Sequence, residues 1–397
     1  MNTQQSLSAI QEKIARYKTF AEADPNNPEL WFTLGELYHK SANFSEALTS
    51  FDRVLSILPD NAVALSNKGM VFISQHQFHD AEKLFSNLLR ANPNDPALLF
   101  NNGLAIYHQE RFADAYHYFC AAKDAGAAAS ACYPYMVRTQ HHMGNLATAI
   151  QHCEEWISET GNNESKGYLA LLEMDNHNKD KARQIAQAVL LNDPDNVEAS
   201  IVAASYEVED QDIEKAAALF DHALEVRPNQ PRAMFGKGLT HLYNGNHAEA
   251  IRLIRAAAEA MPKDTGARVA LGWAQITSQD FQGAEKTFRE IIDIDRNFAE
   301  GHGGLAYVLA MQQKIDLANQ SIKTATWLDP HCFGAGAARS VIIGSGGNTE
   351  RSIKYLANLL EQPMGPGQKP MIEHIQVYLT KRAKQEEQNN SNKPTLQ

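Results

Sequence analysis

The 397-residue sequence is poor in the features that announce most chemistries. Its four cysteines, Cys120, Cys132, Cys153 and Cys332, include no C-x-x-C pair. That spacing is what a zinc ribbon or a dithiol redox site needs. Three of the four fall at inward or inter-helix positions of the pattern described below, where a free thiol behaves as a small apolar residue. Reduced core cysteines of this kind fit a cytoplasmic protein. Lysine and arginine form no cluster interleaved with aromatics, and the formal net charge is −11. Nucleic acid and anionic membrane surfaces are therefore not expected as partners. No stretch reaches the roughly 20 apolar residues of a membrane-crossing helix. Residues 1–23 carry Glu12, Lys13, Arg16 and Lys18 where a signal peptide would need an apolar run.

Catalytic and cofactor motifs are equally scarce. The 15 histidines form no metal set. His76 and His79 lie in a polar turn without acidic or thiol company, and His141 and His142 point to different faces of one helix, as do His152 and Cys153. The glycine-rich runs Gly334-Ala335-Gly336 and Gly344-Ser345-Gly346-Gly347 lack the strand that precedes a phosphate-binding loop. They read as a small-residue helix and an inter-helix turn. Gly301, Gly303 and Gly304 likewise thin one helix and let a neighbour approach. The sequence thus predicts no catalytic residue, no metal site and no cofactor.

What is present is a period. Residues 28–61 read PELWFTLGELYHKSANFSEALTSFDRVLSILPDN. Trp31, Leu34, Gly35 and Tyr38 share one face of a helix, and Ala47, Phe51 and Val54 share one face of a second. Ser41-Ala42-Asn43 forms a polar turn between them, and Pro59 stops the second helix. Such a hairpin cannot bury its two apolar faces alone and needs neighbours. The alanine that opens the second helix recurs as Ala47, Ala81, Ala115, Ala149, Ala182, Ala216, Ala250, Ala284 and Ala318. The step is 34 residues except for one of 33.

Trp31, Leu34, Gly35, Tyr38, Ala47, Phe51 and Pro59 occupy all seven signature positions of the tetratricopeptide repeat, and the chain resembles that family over residues 25–362. The resemblance implies an all-α, right-handed superhelical solenoid of 34-residue helix-turn-helix repeats with capping helices at both ends. Residues 1–27 are expected to form an N-terminal capping helix with Leu7, Ile10, Ile14, Tyr17 and Phe20 on one stripe. About ten repeats follow over 28–362, with 163–196 and 333–362 degenerate. Pro134 is expected to mark the first turn of a shortened helix over 134–143. A linker and C-terminal capping helix are expected over 363–386, using Met371, Ile375, Tyr378 and Leu379, followed by a disordered tail over 387–397.

The family's fold speaks little about role, so function must come from a surface. The resemblance implies that positions 2, 5, 9, 12 and 13 of each first helix line a concave groove. Those positions hold Phe32, Glu36 and His39, then Met70 and Ile73, then Phe100, Leu104, Tyr107 and His108. Later come Ile201 and Val208, and then Phe235, Leu239, Leu242, Tyr243, Val269, Trp273, Ile276, Tyr307 and Met311. A concentrated apolar and aromatic surface marks an interaction site. The predicted protein-binding residues are Phe100, Tyr107, Phe235, Leu239, Tyr243, Trp273 and Tyr307. One subclass of the family clamps a partner's C-terminal carboxylate with lysine, asparagine and arginine. Here the matching positions hold Phe32, Glu36, Asn67, Ala97 and Asn101, of which only Asn67 fits, and Glu36 would repel a carboxylate. The expectation is a non-catalytic scaffold for a protein or peptide segment, with assembly of a bacterial secretion, pilus or envelope system as its setting by analogy. Homo-oligomerisation is compatible with the sequence. The alternatives are an accessory subunit that brings substrate to a separate enzyme such as a glycosyltransferase, or a peptide-responsive regulator.

Overall fold

The structure, a computed structural model, describes residues 3–362 together with 370, 372 and 373. The expected linker, C-terminal capping helix and tail therefore lie outside the described residues, apart from those three positions. Helices α1 to α21 form in chain order, and no strand is formed among the described residues. The chain divides into two compact units, Met1–Ile185 and Ala186–Gln397.

The first unit opens with α1 (Thr3–Ala23), which packs on α2 (Pro28–Lys40). Helix α2 pairs with α3 (Phe44–Ile57), α4 (Ala62–Ser74) with α5 (Phe78–Ala91), and α6 (Pro96–Tyr107) with α7 (Phe112–Asp124). Helix α8 (Ala129–His142) pairs with α9 (Leu146–Thr160), and α10 (Asn163–Asp175) follows. The unit boundary falls inside α11 (Lys179–Leu190), in the repeat whose signature is weakest. The second unit pairs α12 (Val197–Glu209) with α13 (Ile213–Val226), and α14 (Pro231–Tyr243) with α15 (His247–Ala260). It continues with α16 (Thr265–Thr277) and α17 (Phe281–Ile294), α18 (Ala299–Met311) and α19 (Ile315–Leu328), and α20 (Phe333–Ser345) and α21 (Thr349–Leu360). The all-α repeat architecture is the expected one.

Local chemistry explains each hairpin. Six of the first helices, α2, α4, α6, α10, α12 and α16, begin after an Asn or Asp whose side chain accepts an otherwise unbonded amide. Asn61 accepts from Ala64 N at 2.9 Å, Asp95 from Ala97 N and Leu98 N at 2.9 Å, and Asn196 from Ala199 N at 3.0 Å. Pro28, Pro96 and Pro231 sit in the first turn, where proline's missing amide costs nothing. Between the helices, the fifteenth residue of every repeat turns left-handed. Ala42, His76, Glu110, His177, Gln211, Gln279 and Gln313 do so with φ between 58° and 62°, and Gly144, Gly245 and Gly347 fill the place in the other repeats.

The recurring alanine is the core. Ala47, Ala81, Ala115, Ala149, Ala182, Ala216, Ala250, Ala284 and Ala318 are all fully buried, and Ser352 takes the place in the last repeat. There Ser352 donates to Ser340 O at 2.8 Å and Ser340 donates to Ser352 O at 3.1 Å, so the two hydroxyls substitute for apolar contact. Four residues after the alanine, Phe51, Phe85, Phe119 and Phe288 are also fully buried. Each ring lies against the signature glycine of its first helix. A Cβ at Gly69 would stand 2.5 Å from the Phe85 ring. Burying one phenylalanine side chain stabilises by about 1.5–3 kcal/mol.

One expected boundary is wrong. Helix α8 starts at Ala129, so Pro134 lies inside it rather than at its first turn. The lost bond and the clash both fall on the carbonyl of Ser130, in the helix's opening turn, where that carbonyl can tilt outward at low cost.

Candidate protein-binding surface

The predicted residues of the first unit sit in a dense stack. Phe100 and Tyr107 project from α6 onto α8. Phe100 meets Tyr135 edge-on at 5.6 Å, and Tyr107 meets Tyr135 the same way at 5.6 Å. Tyr135 in turn stacks on buried Phe119 at 5.0 Å. His142 lies flat on Phe112 at 4.5 Å, and its Nε2 is 3.4 Å from the Tyr107 hydroxyl. One repeat earlier His108 lies flat on Phe78 at 4.9 Å. Burial lowers the pKa of His108, and nearby His76 lowers it further. Burial raises that of the Tyr107 phenol. His141 bridges two helices, with Nε2 2.7 Å from Asp175 Oδ2 and Nδ1 3.0 Å from the Tyr168 hydroxyl. Tyr135, Phe112 and His142 were not among the predicted residues, although the first-helix positions of His108 and His142 could have flagged that register. Leu104, expected on this face, is buried.

In the second unit the predicted residues separate into two groups. Phe235, Leu239 and Tyr243 lie on α14, all half-buried, and burial raises the Tyr243 phenol. Trp273 on α16 and Tyr307 on α18 come together, with ring centroids 5.4 Å apart. No ring contact joins the α14 group to them among the described residues. Phe333, the first residue of α20, completes the cluster, edge-on to Trp273 at 5.8 Å. Beneath the cluster, Phe288 meets Trp273 at 6.0 Å. Ile201, expected on this face, is almost fully buried and belongs to the core.

Phe333 reaches Trp273 because α18 and α20 pack backbone to backbone. A Cβ at Gly334 would stand 2.5 Å from the carbonyl carbon of Gly303, and one at Gly303 would stand 2.4 Å from Cys332 Sγ. The expected close approach is realised by Gly303 against α20 and by Gly304 against α17, where a Cβ would stand 2.1 Å from the Phe288 ring. Glu300 on α18 then caps α20. Its Oε1 accepts from Phe333 N at 2.8 Å, and its two oxygens accept from Gly334 N at 3.3 and 3.4 Å. Burial raises the pKa of Glu300 despite these bonds. Burial likewise pushes the neighbouring Cys332 thiol up to about 12, so it is inert as a nucleophile.

Most first helices of the two units present different chemistry at equivalent positions, the exceptions being α4, without charge there, and α12, with Glu209. At positions 5, 9, 12 and 13 of α14, α16, α18 and α20 there is no Lys, Arg, Asp, Glu or His. The same positions of α2, α6, α8 and α10 hold Glu36, His39, Lys40, His108, Arg138, His141, His142 and Asp175. Among the described residues no group of three metal-ligating side chains is formed, and no helix is long and apolar enough to cross a membrane.

Similarity to known proteins agrees with this architecture. Family profiles described as tetratricopeptide repeat match residues 28–61, 67–130, 169–233, 201–267 and 241–307. No curated protein matches the chain. Among solved structures, the human IFIT1 dimer with m7Gppp-AAAA matches with a TM-score of 0.51 and 14% identity, over 84% of this chain and 90% of that one. The human IFIT1 dimer with PPP-AAAA matches with the same values. At that identity the likeness shows the fold alone. The 34-residue clock, the buried alanine at its second-helix position and the matched profiles together show that the chain belongs to the tetratricopeptide repeat family.

Proposed function

We propose that the protein is a binding scaffold that holds a segment of a partner protein against the first helices of its second unit. The observation that carries this reading is the Trp273–Tyr307–Phe333 cluster, half-buried beside first-helix positions 5, 9, 12 and 13 that carry no charge on α14, α16, α18 and α20. Large aromatics held rigid by their neighbours contribute the most binding energy per residue. Phe235, Leu239 and Tyr243 extend the apolar surface on α14. In the first unit, Phe100 and Tyr107 are more heavily engaged with their own neighbours and act as secondary contacts. The setting expected by analogy, assembly of a secretion, pilus or envelope system, calls for such a partner-holding surface. A phosphate backbone needs cations, and on this face positions 5, 9, 12 and 13 supply none while position 2 supplies Arg232.

Replacing Trp273 and Tyr243 together by alanine tests the proposal. Capture of partners from native cells, read by mass spectrometry, should lose its specific component while the helical circular-dichroism spectrum is kept. An unchanged set of partners on a folded variant would sink the assignment.

A further inference from the structure

The last repeat leaves open a position that the other repeats close. Four residues after the recurring alanine, the side chain is at most 5% exposed in each preceding repeat, from Phe51 to Ile322. Its cover comes from two first helices, as Phe288 shows. A Cβ at Gly272 of its own repeat would stand 2.6 Å from that ring, and one at Gly304 of the next repeat 2.1 Å. In α21 the same position is Leu356, and it is 37% exposed. Ile353 is 65% exposed, Leu360 is half-buried, and no residue of α21 is fully buried. Ile353, Leu356 and Leu360 are three and four residues apart, so they share one face.

The chain that follows carries a matching face. From Pro370 it reads PMIEHIQVYLTKRAK. A turn begins there, since the Glu373 amide donates to Pro370 O at 3.1 Å, and Ile372 and Glu373 are helical. Proline suits a first helical turn. Helical spacing puts Met371, Ile375, Tyr378 and Leu379 on one face, with Glu373, Thr380 and Lys384 opposite. Two 34-residue steps from Leu305 and Ala306 land on Glu373 and His374, which are too polar for those core places. The segment therefore fits as a helix docked by its own apolar stripe, not as the first helix of an eleventh repeat.

Geometry and spacing set how it docks. Residues 361–369 can span roughly 30 Å, against about 8–10 Å between packed helices. A short connection makes neighbouring helices antiparallel. Backwards along α21 run Leu360, Leu356 and Ile353, and forwards along the segment run Met371, Ile375 and Tyr378, with the same spacing of four and then three. One further turn pairs Glu350 with Arg382, of opposite charge.

We infer that residues 371–382 form a helix that folds back antiparallel on α21 and covers Ile353, Leu356 and Leu360. The occupant of this face is the chain's own segment, not a second copy and not a partner protein.

Hydrogen exchange of the full-length protein, read by mass spectrometry, tests this. A helix this short does not persist alone, so protection of its amides reports docking. Amides of 372–382 should exchange more slowly than in a free synthetic peptide of residues 366–386, at every protein concentration. Leu356→Asp in α21 and, separately, Ile375→Asp in the segment should each return them to the free-peptide rate. Ile375→Asp should also speed exchange in α21, while α14 to α19 keep their protection. Free-peptide exchange in the parent would overturn the inference, and so would protection that survives either substitution. Protection that appears only at concentrations where light scattering reports a dimer would overturn it in favour of a second copy.

Discussion

The two units use the same hairpin and spend their first helices differently. In the first unit, the exposed edges of α6 and α8 are titratable and tied inward. His108 and His142 stack on phenylalanines, His141 joins Tyr168 to Asp175, and Arg138 pairs with Glu164 at 3.1 Å while lying over Tyr168. In the second unit, small residues take over where side chains would separate the helices, so α18 and α20 touch through backbone. Trp273, Tyr307 and Phe333 then pack on one another at the surface. A repeat array can thus tune a face in two ways, by what it places at groove positions and by how closely it lets successive first helices approach.

The sharpest way to break the contrast is to separate α18 from α20. Gly303→Val places a branched side chain where a Cβ already meets Cys332 Sγ at 2.4 Å and Ala335 N at 2.9 Å. Backbone cannot give way as a flexible side chain can. The expected loss is about 3 kcal/mol or more, at the upper end of overpacking effects. Ser66 holds the same repeat position on α4, where side chains fill the gap, and Ser66→Val should change stability by no more than about 0.5 kcal/mol. Urea denaturation followed by circular dichroism measures both. Equal effects would show that the glycine seam is not special.

The first unit has a defect of its own to remove. Asn102 is fully buried on α6 where the first repeat has Leu34, and neither its amide oxygen nor its nitrogen has a partner. Asn102→Leu should stabilise by about 1–2 kcal/mol, the cost of two unpaired buried polar atoms less any crowding. A destabilised variant would mean that an ordered water satisfies the amide.

The sequence made the repeat legible because one alanine, one glycine and one phenylalanine per unit each have a single packing job. The buried alanines answer the 34-residue clock one for one. The seam was legible only in part, since Gly303 faces α20 while Gly301 and Gly304 make room for Ile291 and Phe288 of α17. What the seam delivers was not legible. Phe333 opens α20 at a position that carries no signature, and only the close approach of α18 brings it onto Trp273. Glu300 was hidden for a related reason. It reads as a solvated first-turn acid, yet it caps a helix that begins 33 residues later. Among the described residues Phe235, Leu239 and Tyr243 make no ring contact with Trp273, because a shared repeat position fixes direction along a helix, not contact between the first helices of successive repeats.

Smaller effects test the turns. The left-handed residue between helices is His76 in one unit and Gln279 in the other, at φ of 60° and 61°. A side chain costs about 1 kcal/mol or more in that conformation, while glycine loses some of the gain through its looser unfolded chain. His76→Gly and Gln279→Gly should each stabilise by about 0.5 kcal/mol, raising the thermal midpoint slightly and by similar amounts in the two units. If only one of them stabilises, the turns are not equivalent and the two units differ in more than their faces.

The smallest effect is a pH dependence confined to the second unit. Burial raises the pKa of Glu300 above its unfolded value, so the folded state holds its proton more tightly than the unfolded chain does. The associated stability is fully present below glutamate's ordinary value of about 4.3. It is lost as pH rises through the raised folded value. Glu300→Gln keeps an oxygen that can accept from Phe333 N and Gly334 N, and removes the charge. The variant should lose this component of the pH dependence, and at neutral pH it should be no less stable than the parent. Thermal unfolding of both proteins across mildly acidic to neutral pH measures the difference. If Glu300→Gln is less stable than the parent at neutral pH, the charge itself holds the head of α20. Attraction between the carboxylate and the helix N-terminus would then outweigh its burial.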